Sequence, residues 1–449
     1  MADIHPFAAY RYDLSQVAAD DVLTQPYDKI TPEMRRRYLE RDAHNLVRVI
    51  LGESLSSDNE GNNVYTRAEG CLRQWIEDGV LRRDPEPAIY PYEQTFQAPG
   101  ATATQTRRGL IALGRLEDYD RKVVFRHEQT LTGPKQDRLR LLRATRTHLG
   151  QIFMLYSDPS GRTEEEIFAR AESPVLTARD EYRTEHRLFR ETDGGVITRL
   201  RQSLSRLPLV IADGHHRYET ALAWRDEERQ RLPHYGPSPA PWDFAMMTFV
   251  NLDAPGLVVL PTHRVVDGLA DWNPAQFLAR AAEFFTVEPR PVAAAGWTAA
   301  WPALEAELAR AEAAAQPAFA AVLAGQPGAY LFRLRPGLDL AAALPGYNDE
   351  QRRLAVLLLH ELALERGLGI TPEAVRGEKH VRFERDAHAA VRAVWEGSRD
   401  GGLAQAAFLL APVAPQTVRD VALSGAVMPQ KSTDFFPKLL SGLTLYRME

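Results

Sequence analysis

Short apolar runs interleave with longer amphipathic stretches over the first 270 positions, a texture that predicts strands alternating with helices. Leu46-Val47-Arg48-Val49-Ile50-Leu51 reads as a strand, and the polar segment 54–63 as the loop before a helix over 67–79 with Leu72, Trp75 and Ile76 inward. Positions 88–96 and 109–116 read as a hairpin around Pro99-Gly100. A helix over 135–148 is followed by the strand 151–156, then by a helical stretch over 181–204 interrupted at Asp193-Gly194-Gly195. The run Leu207-Pro208-Leu209-Val210-Ile211 is a buried strand by its composition, and 218–231 an amphipathic helix. Two strands follow, at 244–252 and 257–260. Beyond Trp272 the texture changes: 293–324 is alanine-rich and expected to be helical, 329–334 reads as a strand, 354–367 as an apolar helix, 406–410 as a strand and 417–424 as a helix. Turn chemistry punctuates the pattern, with Pro26-Tyr27-Asp28 as a loop and Thr31-Pro32-Glu33 as a capped helix start. The expected fold class is α/β (α+β), with a first region over 1–269 and a C-terminal α+β region over 270–449.

At 449 residues the chain is long for one core, and 45% hydrophobic with 25% charged residues is the composition of a globular protein. A single cysteine excludes an internal disulfide and any thiolate-rich metal centre. There is no apolar run of about 18 residues, the length of a membrane helix, and the first ten positions lack the regions of a signal peptide; a cytoplasmic protein is expected. The net charge of −6 disfavours nucleic acid as a partner. Lys135, Arg138, Arg140, Arg143 and Arg146 form a basic patch that reads as a solvated helix surface.

Ala212-Asp213-Gly214-His215-His216-Arg217-Tyr218 carries the densest chemistry. It lies between a strand and a helix, where Gly214 permits an unusual backbone and a helix N-terminus attracts anions. His215, His216 and Arg217 add donors, and Asp213 is a candidate metal ligand. Glu128 beside His127 is a candidate general base, with Asp28 behind it. His263 and Arg264 follow a strand end, and Lys431-Ser432-Thr433 offers an ammonium and hydroxyls to phosphate without a Walker A glycine pattern. His360-Glu361 lacks the second histidine of a zinc helix, since Leu364 stands there.

Six ordered segments resemble the uncharacterised family DUF1015: His5-Pro6-Phe7, Pro26-Tyr27-Asp28, His127-Glu128-Gln129-Thr130, positions 211–222, Leu260-Pro261-Thr262-His263-Arg264 and positions 428–438. The DGHHR string by itself resembles the motif of free serine kinases of the ParB/sulfiredoxin superfamily. That resemblance implies a ParB/sulfiredoxin-like nucleotide-site domain, with Asp213 on Mg²⁺ and His215, His216 and Arg217 on phosphates. Sulfiredoxins carry a cysteine where this chain has His215, so their activity is not expected. The expectation is a Mg²⁺-dependent phosphotransferase using ATP or ADP (or CTP) on a small hydroxyl metabolite, free L-serine being the first candidate. Glu128, Asp28 and His216 are its catalytic candidates. Gly214, His215, His216, Arg217, His263, Arg264, Lys431, Ser432 and Thr433 would bind nucleotide, the 431–433 segment folding back to the DGHHR string. A nucleotide hydrolase or CTP-dependent switch, and a non-catalytic binder of nucleotides or phosphorylated metabolites, are the alternatives.

Overall fold

A computed structural model describes residues 2–128, 132–236, 239–397 and 402–448. Gln129 and Thr130 of the HEQT string lie outside the described residues. The chain divides into two compact units: residues 1–126, 130–258 and 436–449 form unit 1, and residues 127–129 with 259–435 form unit 2.

Unit 1 is built on a nine-stranded mixed sheet. Its strands are β1 (Ile4–His5), β2 (Tyr90–Gln97), β3 (Thr104–Arg115), β4 (Val124–Phe125), β5 (Ile152–Tyr156), β6 (Leu176–Arg179), β7 (Glu185–Leu188), β8 (Leu209–Asp213) and β9 (Phe244–Asn251). The order is β4-β8-β5-β9-β3-β2-β7-β6, with β1 also on β3. Only β8 with β4 and β9 with β5 run parallel among the pairs of this sheet. Its central strands are buried on both faces; all eight residues of β9 and all five of β5 are buried. The helices of unit 1 include α1 (Pro32–Arg41), α2 (Val64–Glu77), α3 (Thr132–Thr145), α4 (Gly194–Ser205) and α5 (His215–Arg231). Tyr218 and Ala221 of α5 and Val196, Leu200 and Leu204 of α4 join the same core as β5, β8 and β9.

Unit 2 holds a six-stranded, wholly antiparallel sheet of β10 (His263–Val266), β11 (Phe285–Arg290), β12 (Ala318–Leu323), β13 (Ala329–Leu334), β14 (Val381–Glu384) and β15 (Ala406–Leu410), in the order β11-β13-β12-β15-β10-β14. Helices α6 (Trp297–Ala313) and α7 (Ala387–Trp395) pack on it through Trp301, Leu308, Ala390 and Val394. The α/β class with an α+β C-terminal region is what the pattern predicts.

Three expectations need correction. Leu46–Leu51 is not a strand: Val47–Ile50 is one helical turn, begun by Asn45 Oδ1 accepting from Val47 N at 3.0 Å. A short, mostly apolar run fits either geometry. The segment 181–188 is not helical but belongs to the β6–β7 hairpin, whose turn is set by Asp180 Oδ1 accepting from the amides of Tyr182 and Thr184, both at 2.9 Å. The alanine-rich segment stops being helical at Ala313, and Ala318–Leu323 becomes the fully buried strand β12. In a strand sealed on both faces, alanine is selected for its small size rather than for its helix propensity. By contrast, the Thr31 cap forms as expected, its hydroxyl accepting from Met34 N at 3.2 Å.

No helix among the described residues is long and apolar enough to cross a membrane. In the basic patch Arg140, Arg143 and Arg146 are exposed, as expected of a solvated surface, and three of its members are ion-paired to α5: Lys135 meets Glu219 at 3.5 Å, Arg143 meets Glu227 at 2.6 Å, and Arg146 meets Glu228 at 3.3 Å.

Candidate functional site

The DGHHR string is the junction of β8 and α5. Leu209 to Ala212 are buried, and Asp213 ends the strand. Gly214 follows at φ +90°, the left-handed region, where a Cβ would also stand 3.0 Å from the Arg217 guanidinium carbon. Both features require glycine. The helix starts at His215, three residues before the expected Tyr218, so His215, His216 and Arg217 form its first turn. Gly214 occupies the N-cap and offers no capping side chain. Its amide donates to Asp213 Oδ1 at 2.8 Å, which fixes the carboxylate against the turn. Tyr218 anchors the helix from below, its hydroxyl donating to Glu117 O at 2.7 Å and accepting from Glu117 N at 3.0 Å.

Cations crowd Asp213. Lys438 Nζ lies 3.2 Å from Oδ2 and Arg217 Nη2 lies 3.8 Å from it. Burial raises the carboxyl, but Lys438, Arg217 and Lys29 outweigh it and hold Asp213 well below the usual carboxylate range. One carboxylate facing these cations leaves a local positive excess at a helix N-terminus, the electrostatics of an anion site. Arg217 Nη1 also donates to Gln151 O, so its guanidinium is held in place.

Lys438 is aimed by a buried network. Arg107, 1% exposed, donates to Phe436 O at 3.2 Å, to Pro437 O at 2.5 Å and twice to Gln94 Oε1. Gln94 Nε2 in turn donates to Lys438 O at 2.9 Å. The Phe436–Pro437 peptide is cis. Lys438 closes the 428–438 segment without a local pattern that predicts its role, and Arg107 occupies a strand position where an arginine reads as solvent-facing.

The turn Tyr27–Lys29 belongs to unit 1, but its members differ in their relation to Asp213. Lys29 and Tyr27 interact electrostatically with Asp213, whereas Asp28 is exposed to solvent.

The remaining candidates gather in unit 2. Glu128 Oε1 accepts from Lys431 N at 3.1 Å, and its backbone bridges to Met428. His127 Nε2 meets Thr433 Oγ1 at 2.9 Å, and Ser432 donates to Pro429 O. Arg264, 1% exposed, donates from Nη2 to Lys431 O at 3.1 Å and from Nε to His360 Nε2 at 3.1 Å. Three separated strings thus converge on one turn, in which Lys431 adopts φ +57°. A lysine in that region is uncommon and points to a demand on its position. His263 takes a packing role: it is 1% exposed, accepts from Leu410 N at 3.2 Å and stands edge-on to Trp301.

Burial lowers His148 in unit 1 and His263 in unit 2 to about 4, so both are neutral at pH 7. Their folded values lie below the unfolded value of about 6.5, so the unfolded chain binds protons first as pH falls. Each therefore contributes stability above pH 6.5, of which roughly 2 kcal/mol is lost by pH 5. Thermal melts from pH 7 to 5 should show a falling midpoint, with a shallower slope in His148→Gln.

Residues 4–357 match the family described as "Protein of unknown function (DUF1015)". No curated protein matches the chain. Among solved structures, a free serine kinase in complex with AMP is 13% identical at a TM-score of 0.33, covering 70% of this chain and 83% of that one. A conserved hypothetical protein from Pyrococcus furiosus is 13% identical, with TM-score 0.32 and coverages of 71% and 89%. SbnI with C-terminal truncation from Staphylococcus aureus is 10% identical, with TM-score 0.31 and coverages of 74% and 85%.

Proposed function

The chain belongs to the DUF1015 family, which passes on no activity, and we propose from its site that it is a nucleotide-dependent phosphotransferase acting on a small hydroxyl compound. The observation that carries this reading is the β8–α5 junction: a left-handed glycine, a helix N-terminus bearing His215, His216 and Arg217, and Asp213 faced by Lys438 and Arg217. Phosphoryl transfer needs positioning and charge neutralisation more than covalent chemistry, and that junction supplies both.

In this reading the phosphates of ATP, ADP or CTP lie at the first turn of α5. Arg217 and Lys438 neutralise their oxygens, and His215 and His216 offer ring N–H donors to them. Among the described residues no cluster of three or more metal-ligating side chains exists, so the donor set does not fit a resident metal ion. Asp213 accepts from Gly214 N at Oδ1 and faces Lys438 and Arg217 at Oδ2, so as it stands it does not fit Mg²⁺, and the two side-chain cations supply the positive charge. Gly214 lets the backbone approach them, and Arg217 is held ready by Gln151.

The acceptor hydroxyl attacks the terminal phosphorus; the new O–P bond forms as the bridging O–P bond breaks, and the shortened nucleotide leaves. Asp28, exposed in the same unit as the β8–α5 junction, is the carboxylate that takes the hydroxyl proton in this reading. The first acceptor to try is free L-serine, which the resemblance of the DGHHR string to free serine kinases suggests. The test is a ³¹P NMR screen of ATP, ADP and CTP with Mg²⁺ against hydroxylated metabolites including L-serine. A phosphorylated metabolite is expected, and Asp28→Asn should lower kcat about 10²–10⁴-fold while nucleotide still binds. Nucleotide loss without a phosphorylated acceptor would replace this reading with hydrolysis.

A further inference from the structure

A partly open cavity lies beside the phosphate site in unit 1, with Arg217 in its wall. Its lining is largely apolar: Pro26, Tyr27, Ile50, Leu141, Leu142 and Leu149 contribute most of it. The Tyr27 ring is braced by the Arg138 guanidinium 4.4 Å from its centroid, and Arg138 is tied to Ile50 O at 2.7 Å. An apolar slot with a fixed aromatic ring suits a flat heteroaromatic group.

The uncharged polar side chains of the wall are Thr147, His148, Thr220 and Ser441. Thr220, one turn along α5 from Arg217, is 3% exposed, and its hydroxyl has no hydrogen-bond partner among the described residues. His148, stacked on Tyr446 at 5.8 Å, adds a neutral imidazole able to donate from one nitrogen and accept at the other. The lining includes two guanidiniums, Arg138 and Arg217, and no carboxylate. An amino-acid acceptor would bring its ammonium against those guanidiniums with no carboxylate in the lining to receive it. A neutral base with donors and acceptors on its edge meets no such cost, and Arg217 links its place to that of the phosphates.

We propose that this cavity, walled by Tyr27, Leu142, His148 and Thr220 and opening at Arg217, receives the nucleobase of the nucleotide whose phosphates lie at the first turn of α5. The inference rests on the phosphotransferase reading and specifies one of its ligands. Calorimetry would compare ADP, CDP and inorganic pyrophosphate on the full chain, with Thr220→Val and Tyr27→Ala checked by thermal melts. At least one nucleotide should bind ten-fold or more tightly than pyrophosphate. Both variants should reduce that advantage at least three-fold while pyrophosphate affinity stays within two-fold. Equal affinity for nucleotide and pyrophosphate, or nucleotide affinity unchanged in both variants, would overturn the base pocket and leave the phosphate site standing. Binding of neither pyrophosphate nor nucleotide would overturn the phosphate site and the pocket with it.

Discussion

Arg107→Met is expected to be the most destabilising single change in unit 1. The guanidinium is buried, lies 4.8 Å from the Phe153 ring, and satisfies Gln94 Oε1, Phe436 O and Pro437 O. Burial lowers it only to about 10, so it remains charged at pH 7. Methionine keeps much of the stem but removes every donor. Each stranded buried acceptor costs about 1–3 kcal/mol, so the three together cost roughly 3–6 kcal/mol net of relaxation. Against a typical total stability of about 5–15 kcal/mol, that is a large fraction. Denaturant melts should show it directly. Lysine at 107 keeps the charge without the planar fork, and should recover only part of the loss. Because the same network carries residues 436–438, Arg107→Lys should also weaken phosphate binding by releasing Lys438 from Asp213.

His216→Ala is expected to lower turnover steeply while leaving the fold intact. His216 sits in the first turn of α5 and is partly exposed, so its loss should spare the fold. Removing one preorganised donor from a developing phosphoryl charge costs about 2.7–4 kcal/mol, equivalent to a fall of 10²–10³ in kcat. Thermal stability should change by less than about 1 kcal/mol, as for substitutions outside a core. A variant that lost activity only through unfolding would show both effects together.

Much of the candidate site was legible in sequence because its signals are local. An apolar run, a glycine and a polar string before an amphipathic stretch announce a strand-to-helix turn, and Asp213 to Arg217 lie on one. The start of α5 was misplaced by three residues, since imidazoles and a guanidinium in a first turn read as loop. The partners of Asp213 were not legible for a different reason. Lys438 is 225 positions away and reaches the carboxylate through a network on Arg107 and Gln94 that only tertiary structure assembles. The failures in fold have the same origin. Leu46–Leu51 is a short, mostly buried run broken by Arg48, and residues 318–323 are buried throughout; in runs this short periodicity does not separate strand from helix and the tertiary neighbours decide. Where one face meets water, as in the alternating burial of Leu176–Arg179, the period survives, but the expected helix over 181–204 overran its partner strand.

The central claim is that the first turn of α5 holds phosphate. Calorimetric titration of ADP into the wild type and His216→Ala, at low and moderate salt, tests it most directly. Saturable binding, competed by pyrophosphate, weakened by salt and at least ten-fold weaker in the variant, is the predicted result. Equal affinity in both proteins, or no binding to the wild type, would contradict it.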